Sequence, residues 1–535
     1  MRNKRYIILF SAITALCFSG VHAQMNPREK MAAAIKAIQE NYVDSMGEEK
    51  LSDAAIMGMM KELDPHSRYY SREESLQMKQ SMSGSFYGVG IQYMVQNDSL
   101  YVTQVIPGGP AAEKGLLPGD RITAINNNPV SGRRISNLDI MKTLRGEKGS
   151  VVSVEILRKS TQPFNVSITR GAIPDNSVTA AYMVNDQVGY IALRIFNGTT
   201  RNEIDKAISQ LKAAGMQRLI LDLQGNGGGY VEAAIGVADE FLPKDRLVFY
   251  SMPKDRGKDY NYAGGYGQFY DGKLVVMIDQ NTASASEILS GALQDWDRAV
   301  LVGRRSFGKG LMQRPVQLPD GSVLELTGAR YYTPSNRSIQ KPYHGSKYAD
   351  DVTTRFASGE LTDASVIHFP DSLKYKTLLN KRTVYGGGGI MPDKFVALDT
   401  AEYNGWLQNV MDAGLVNKPA FNYVDTGKND LLKRYPLFAD FLTGFSVPED
   451  IISQVVNKAG EAGWKLNTAS AGHLRKLLAL EIKAQIASLL YMKKDYYIQV
   501  VNNGNESFRQ ALDIIQNDAA YNQLLSVPAG KTNKK

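Results

Sequence analysis

Cysteine is almost missing from this 535-residue chain, and Cys17 is the only one. It falls in a leader that reads as cleaved, so the working protein has no disulfide framework and no thiolate metal site. Histidine is scarce as well. His66, His344, His368 and His473 remain after the leader, no two at metal-ligand spacing, and His-Glu-x-x-His does not occur. The Gly-x-Ser-x-Gly elbow of the His-dependent hydrolases is also absent. Past the leader no apolar run is long enough to span a bilayer. No basic stripe is concentrated anywhere. The formal net charge is only +8, and Arg2, Lys4 and Arg5 supply part of it from the leader, which argues against a nucleic-acid partner. What is present is ordinary: 43% hydrophobic and 22% charged residues exclude bulk disorder. The length suggests about three or four domains.

Met1 to Arg5 is basic, Tyr6 to Phe18 is almost wholly apolar, and Val21-His22-Ala23 suits a signal peptidase cutting before Gln24. Residues 1–23 are therefore expected to be a signal peptide. An uncleaved anchor is the alternative, weakened by the shortness of the apolar run. Leu16 before Cys17 argues against a lipoprotein signal. Export without disulfides fits a bacterial periplasm or cell envelope.

Met31, Ile35, Ile38 and Tyr42 recur on one helical face, and Ile56, Met59, Met60 and Leu63 repeat the pattern before Asp64-Pro65. Residues 24–80 are read as an N-terminal helical module. Short β-rich runs broken by Pro107-Gly-Gly-Pro110 and Pro118-Gly-Asp120 fill 81–172. From 173 to 398 strands alternate with helices, and Arg218–Leu223 is the nearly continuous apolar run of a strand covered on both faces. From 399 to 535 the pattern is helical, with Leu474, Leu478, Ile482, Ile486 and Leu490 every four residues.

Three segments carry candidate chemistry. The cluster Gly225-Asn-Gly-Gly-Gly229 after the apolar strand reads either as a plain strand-to-helix turn or as a turn whose N–H groups face a cleft and hold an anion. It lacks the lysine of a phosphate loop. Asn281-Thr-Ala-Ser284-Ala-Ser-Glu287 contains a Ser-x-x-Glu capping box. The same serine, at a helix start, has free N–H groups beside its Oγ, which suits a nucleophile. Ser306-Phe-Gly-Lys309-Gly places a lysine between glycines. Its plain reading is a solvated turn; its functional reading is a desolvated lysine, neutral enough to act as a base.

Together these segments closely resemble the C-terminal processing (tail-specific) peptidases, Ser–Lys proteases of bacterial envelopes and chloroplasts. Leu63-Asp-Pro-His-Ser67, Phe86-Tyr-Gly-Val-Gly-Ile91 through Gly119-Asp120, Gln294-Asp295, Arg298 to Gly303, Ala329 to Ser335 and Gly389-Ile-Met-Pro-Asp393 follow in the family's order. The resemblance implies a multidomain α+β protein: an N-terminal helical module, a PDZ domain, an α/β protease core of ClpP/crotonase-like ββα character, and a C-terminal helical domain.

It also implies a serine endopeptidase in which Ser284 is the nucleophile, Lys309 the general base and Gln313 the residue that orients the lysine. The N–H groups of Ala285 and Gly228 would form the oxyanion hole. No metal or cofactor is required. Burial beside the Leu301–Gly303 strand is the expected cause of a lowered lysine pKa. Two positions depart from the family pattern. Gln224 stands where arginine is usual and removes a charge; Gly227 stands where proline is usual and loosens the turn. Gly88, Val89, Gly90 and Ile91 are the expected contacts for a peptide with a free C-terminus, which would add a strand to the PDZ sheet. The PDZ domain is also a candidate gate.

Two other functions remain at this point: a PDZ scaffold or chaperone with an inactive core, and an amidase acting on cell-wall peptides. A peripheral membrane association, an adaptor, and a homo-oligomer through the C-terminal helices are also open, those helices being readable as an interface or a lid.

Overall fold

The computed structural model of the chain describes residues 25–526, apart from 97–98, 131–134, 159–160, 344–347, 349–350, 401–404 and 469. The expected signal peptide with Cys17, and His344, lie outside the described residues. The chain divides into two units, one ending at Leu63 and one beginning at Asp64. The first holds helices Pro27–Asn41 and Glu48–Lys61. Asn26 starts the former by accepting the Arg28 N–H at 3.0 Å, with Pro27 in the first turn where its missing donor costs nothing. Neither helix buries a side chain, and Met31, Ile38 and Met59 are exposed.

The expected module edge near residue 80 is not where this unit ends. Arg68–Tyr70 is already a strand of the larger unit, paired antiparallel with Val323–Tyr332. The helix Arg72–Met82 follows, started by a capping box between Ser71 and Glu74.

A β-rich domain comes next. Its main sheet runs Ile91–Gln96, Ser99–Val105, Arg121–Ile125, Val151–Leu157, Phe164–Thr169, and a separate pair joins Ser85–Gly88 to Gly171–Pro174. Alternate residues Val152, Val154 and Ile156 point into a core shared with Leu100, Val102 and Ile122. The turn at Gly119-Asp120 is held by Arg158, which donates to both Asp120 oxygens at 2.7 and 2.9 Å.

In the α/β core six strands lie in the order Val178–Met183, Val188–Leu193, Arg218–Asp222, Lys273–Ile278, Val300–Gly303, Lys394–Phe395. The first pair is antiparallel and the rest are parallel. The apolar run in Arg218–Asp222 is explained by its two buried faces. Leu219 and Leu221 meet helices Thr200–Ala213, Val231–Asp239 and Ala285–Asp295. Ile220 faces the other way, with Val275 and Val302.

That second face is covered by the end of the chain. Phe508, Ala511, Ile514 and Ile515 from helix Glu506–Gln516, and Tyr521 from Asp518–Leu525, complete its core. Helices from Trp406 to Val501 have a core of their own, including Leu474, Leu478, Ile482 and Ile486. The C-terminal segment is thus a helical body plus two helices that belong structurally to the six-stranded sheet. Among the described residues no helix is long and apolar enough to cross a membrane.

A second sheet flanks the core: Arg68–Tyr70, Val323–Tyr332, Leu247–Pro253 and Asp259–Tyr262, with Leu311–Gln317 also paired to Val323–Tyr332. Leu311–Gln317 leads directly out of the Lys309 loop.

Candidate active site

Ser284 precedes the first residue of the helix Ala285–Asp295. Its backbone has φ +57° and ψ −115°, a conformation that costs a non-glycine residue about 1–3 kcal/mol. The surroundings enforce it. Ala283 N–H donates to the Asn226 carbonyl at 3.0 Å and Ser284 N–H to Glu287 Oε2 at 2.9 Å. The Ser284 carbonyl accepts the N–H groups of Glu287 and Ile288, at 2.8 and 2.9 Å. Ala285 N–H, in the helix's first turn, has no acceptor among the described residues and is an available donor beside the serine.

The glycine turn lies against this serine. A Cβ on Gly228, whose φ is +103°, would come within 2.8 Å of Ser284 Cβ and 2.9 Å of Ala285 N, so only glycine fits. Gly228 N–H is not the free donor expected of it, because Asn226 Oδ1 accepts it at 2.9 Å. Asn226 is the hub of the turn. It is fully buried, its Nδ2 donates to Leu193 O at 2.8 Å, and its carbonyl also accepts Ser286 Oγ at 2.9 Å. The Gly227 and Gly229 N–H groups are the ones in the turn without an acceptor among the described residues.

Lys309 sits in a loop whose backbone donors are all spoken for. Ser306 N–H donates to Ile390 O at 3.0 Å and Ile390 N–H to Ser306 Oγ at 2.6 Å, which is how the Gly389–Asp393 segment pins the loop. Phe307 N–H goes to Thr282 O at 2.9 Å, Gly308 N–H to Glu287 Oε1 at 2.7 Å, Lys309 N–H to Glu287 Oε2 at 2.8 Å and Gly310 N–H to Gln340 Oε1 at 2.7 Å. Gly308 has φ +89°.

Glu287 therefore does more than the capping box foretold. It is completely buried, and its carboxylate takes Ser306 Oγ–H and three backbone N–H groups, two from the lysine loop and one from Ser284. Because Ser284 N–H and Lys309 N–H share one oxygen, their nitrogens are no farther apart than the two bonds allow. Burial pushes the carboxyl up, and the four donors oppose the rise. Tyr331 is a second bridge, its Oη lying 2.8 Å from Lys309 O and 3.2 Å from Ser284 O.

Replacing Glu287 with glutamine puts an NH₂ where two donors now point. Glu287→Gln is expected to lower stability by about 2 kcal/mol. It should slow peptide cleavage roughly 100-fold through misplacement of Ser284 against Lys309. Thermal melts and turnover measured on the same preparation check both.

The Lys309 side chain is largely buried, and its Nζ makes no hydrogen bond or ion pair among the described residues. Burial holds its pKa below the ordinary lysine value, with Arg68 acting in the same sense while Glu325, Glu287 and Asp64 oppose it. Burial is thus the leading cause, as expected, while the charges facing Lys309 come mainly from the strand Val323–Tyr332 and the Asp64–Arg68 segment, and carboxylates are among them.

Gln313 makes no hydrogen bond to the lysine. Its Nε2 donates to Thr327 Oγ1 at 3.1 Å, and Thr327 Oγ1 donates to Asp64 Oδ1 at 3.0 Å. Asp64 also accepts the N–H of His66 at 2.9 Å and of Ser67 at 3.1 Å, and Ser67 Oγ at 2.7 Å. The Asp64–Ser67 part of the Leu63–Ser67 motif is thereby wired to Gln313, far along the sequence. His66 Nε2 lies 2.6 Å from Tyr348 Oη; burial, then the charge of Lys309, push its pKa down to about 4. In the β-rich domain Gly90 has φ +80°, Val89 is buried, and the Val89 and Gly90 carbonyls accept Ala111 N–H and Ile106 N–H at 2.8 and 2.9 Å.

A strained serine at a helix start thus lies against a glycine turn, and its backbone shares a buried carboxylate with the backbone of Lys309. Comparison with known proteins supplies the class. The model of peptidase family S41 matches residues 187–348, a PDZ domain 101–158, the N-terminal domain of the activating protease CtpB 18–74, and a family of unknown function 406–492. A carboxy-terminal-processing protease of Bartonella bacilliformis is 36% identical over 313 residues, covering 57% of this chain and 70% of the relative. A probable CtpA-like serine protease of Staphylococcus aureus is 30% identical over 360 residues, covering 65% and 70%. The solved photosystem II D1 C-terminal processing protease is 29% identical, covers 58% of this chain and 90% of its own, and gives a TM-score of 0.34. The chain belongs to peptidase family S41, among the carboxy-terminal-processing proteases.

Proposed function

We propose that the protein is an exported endopeptidase of the bacterial envelope that cleaves proteins recognised near a free C-terminus, with Ser284 and Lys309 as its catalytic pair. The observation that carries this reading is the double bridge, Glu287 and Tyr331, that ties the backbone of residue 284 to that of residue 309.

In the mechanism this supports, neutral Lys309 Nζ removes the proton from Ser284 Oγ as the oxygen attacks a peptide carbonyl. Ala285 N–H and a free N–H of the glycine turn hold the oxyanion. The lysine ammonium then protonates the leaving amine, and water, activated by the neutral lysine, hydrolyses the acyl-enzyme. Gln313 supports the lysine at one remove, through its bond to Thr327 on the neighbouring strand.

Substrate selection falls to the PDZ domain. The Gly88–Ile91 segment would hold the terminal carboxylate, and Ile91–Gln96 would pair with the extended chain. Two assays test the reading together. Casein should be cut and muropeptides left intact, since the amidase alternative predicts the reverse. A peptide with a free apolar C-terminus should be cleaved markedly faster than its C-terminal amide. Equal rates for acid and amide would remove the carboxylate-docking step, and no cleavage of casein would remove the endopeptidase.

A further inference from the structure

Gln224, where the family pattern has arginine, opens the glycine turn, and the structure gives its side chain a partner 281 residues away. Asn505 Nδ2 donates to Gln224 Oε1 at 3.0 Å. The other end of the same amide is also fixed. Asn505 Oδ1 accepts Phe508 N–H at 3.2 Å and so caps the helix Glu506–Gln516. The cap demands the oxygen, which leaves only the NH₂ to face Gln224. One asparagine thus links the start of a C-terminal helix to the start of the turn beside Ser284.

The far end of that helix is tied to the far end of the same strand. Arg218, which begins the strand Arg218–Asp222, donates to the carbonyls of Ile515 and Gln516 at 2.7 and 3.1 Å and pairs with Asp518 at 3.2 Å. Between the two ends Ile514 and Ile515 pack with Ile220 on the sheet face. The helix runs antiparallel to the strand and is fastened to it at both ends, so it sets the strand's position along its own axis. That strand delivers the glycine turn.

A second tie runs through buried hydroxyls. Asn502 Nδ2 donates to Tyr182 Oη at 2.8 Å. Tyr182 stacks at a tilt on Tyr190, with ring centroids 5.0 Å apart, and Tyr190 Oη donates to Asp222 Oδ2 at 2.6 Å. Asp222 Oδ1 then accepts Gln224 N–H at 2.8 Å, setting the direction in which the chain leaves the strand. Phe508 meets the Tyr190 ring edge-on at 5.5 Å.

We propose that Asn505 is a positioning residue for the hydrolytic reaction: through Gln224 it holds the glycine turn against Ser284, making the last helices of the chain a fixed support of the oxyanion site. The proposal rests on the assignment of Ser284 as nucleophile and of the turn as its anion-binding partner.

The test uses the full-length chain and a quenched fluorogenic peptide with a free apolar C-terminus. Asn505→Ser keeps a cap oxygen but is too short to reach Gln224, and Gln224→Ala removes the other end. Each should lower kcat roughly tenfold or more while KM and the melting temperature stay at wild-type values. The double variant should be no slower than the singles, because they break one link. Asn505→Asp should keep the wild-type kcat, since it retains the cap and the Gln224 amide can turn its NH₂ toward the carboxylate. Unchanged kcat in Asn505→Ser and Gln224→Ala, beside an inactive Ser284→Ala, would overturn the positioning role alone. So would a loss of kcat that merely tracks a loss of folded protein. A Ser284→Ala enzyme that still turns over would overturn both this proposal and the reading beneath it.

Discussion

Ser284→Ala is expected to cut peptide hydrolysis by at least about 10⁴-fold and to leave the protein folded. Both halves follow from the geometry. The strained backbone of residue 284 is held by main-chain groups: its N–H by Glu287, its carbonyl by the N–H groups of Glu287 and Ile288. None of these contacts uses the hydroxyl. Alanine keeps them, so melting should stay within about 1 kcal/mol of wild type. Ser286→Ala separates this serine from its neighbour. Ser286 Oγ does not face a substrate; it donates to the buried carbonyl of Asn226, the hub of the glycine turn. That variant should retain hydrolysis at a reduced rate and lose about 1 kcal/mol of stability. Turnover and melting of the two variants, with labelling of the wild type by a serine-directed phosphonate, check the assignment. A Ser286→Ala protein that is dead beside an active Ser284→Ala would exchange the roles of the two serines.

Ser284, Lys309 and the glycine turn could be picked out of the sequence as candidates, because each motif is local: a residue and its neighbours within one turn or loop. What could not be read locally is what binds these pieces together. Glu287 showed only its helix-start spacing, yet its principal partners are Ser306, Gly308 and Lys309, about twenty positions on. Tyr331 stood in a recognisable run, Ala329 to Ser335, without any sign that its hydroxyl would meet two carbonyls on other segments. Gln313 was expected at the lysine and instead bonds Thr327, because the strands Leu311–Gln317 and Val323–Tyr332 pair with a bulge that sets the two side chains side by side. The unbroken apolar run at residue 219 onward announced a strand covered on both faces. It carried no address for the second cover, which comes from residues 508–521. The four-residue repeat in Leu474–Leu490 is a helical core in its own right. The shorter helix Glu506–Gln516 has a different task, and its cap, Asn505, is the residue that touches the site.

Lys309→Arg is expected to be as inactive as Lys309→Ala, although it preserves the positive charge. Arginine holds its proton at any working pH and so cannot serve as a base. Lysine can, provided its pKa is lowered, and burial supplies that lowering here. The sign of the pH dependence follows. The active form is the neutral amine, so activity should rise as pH increases through the depressed Lys309 pKa and fall on the acid side, where the ammonium forms. The groups facing the lysine make this sharper. Glu325 stabilises the ammonium and Arg68 disfavours it. Glu325→Gln should therefore move the acid limb of the kcat profile to lower pH, and Arg68→Gln should move it to higher pH. Opposite displacements from two residues that are direct partners in the same strand pair, Arg68 against Glu325, cannot come from a common structural loosening. They require a base whose proton the two charges feel with opposite sign. If Lys309→Arg turned over near the wild-type rate, or if both substitutions left the acid limb in place, the charge of residue 309 rather than its proton transfer would be what the site needs, and the Ser–Lys mechanism would fall.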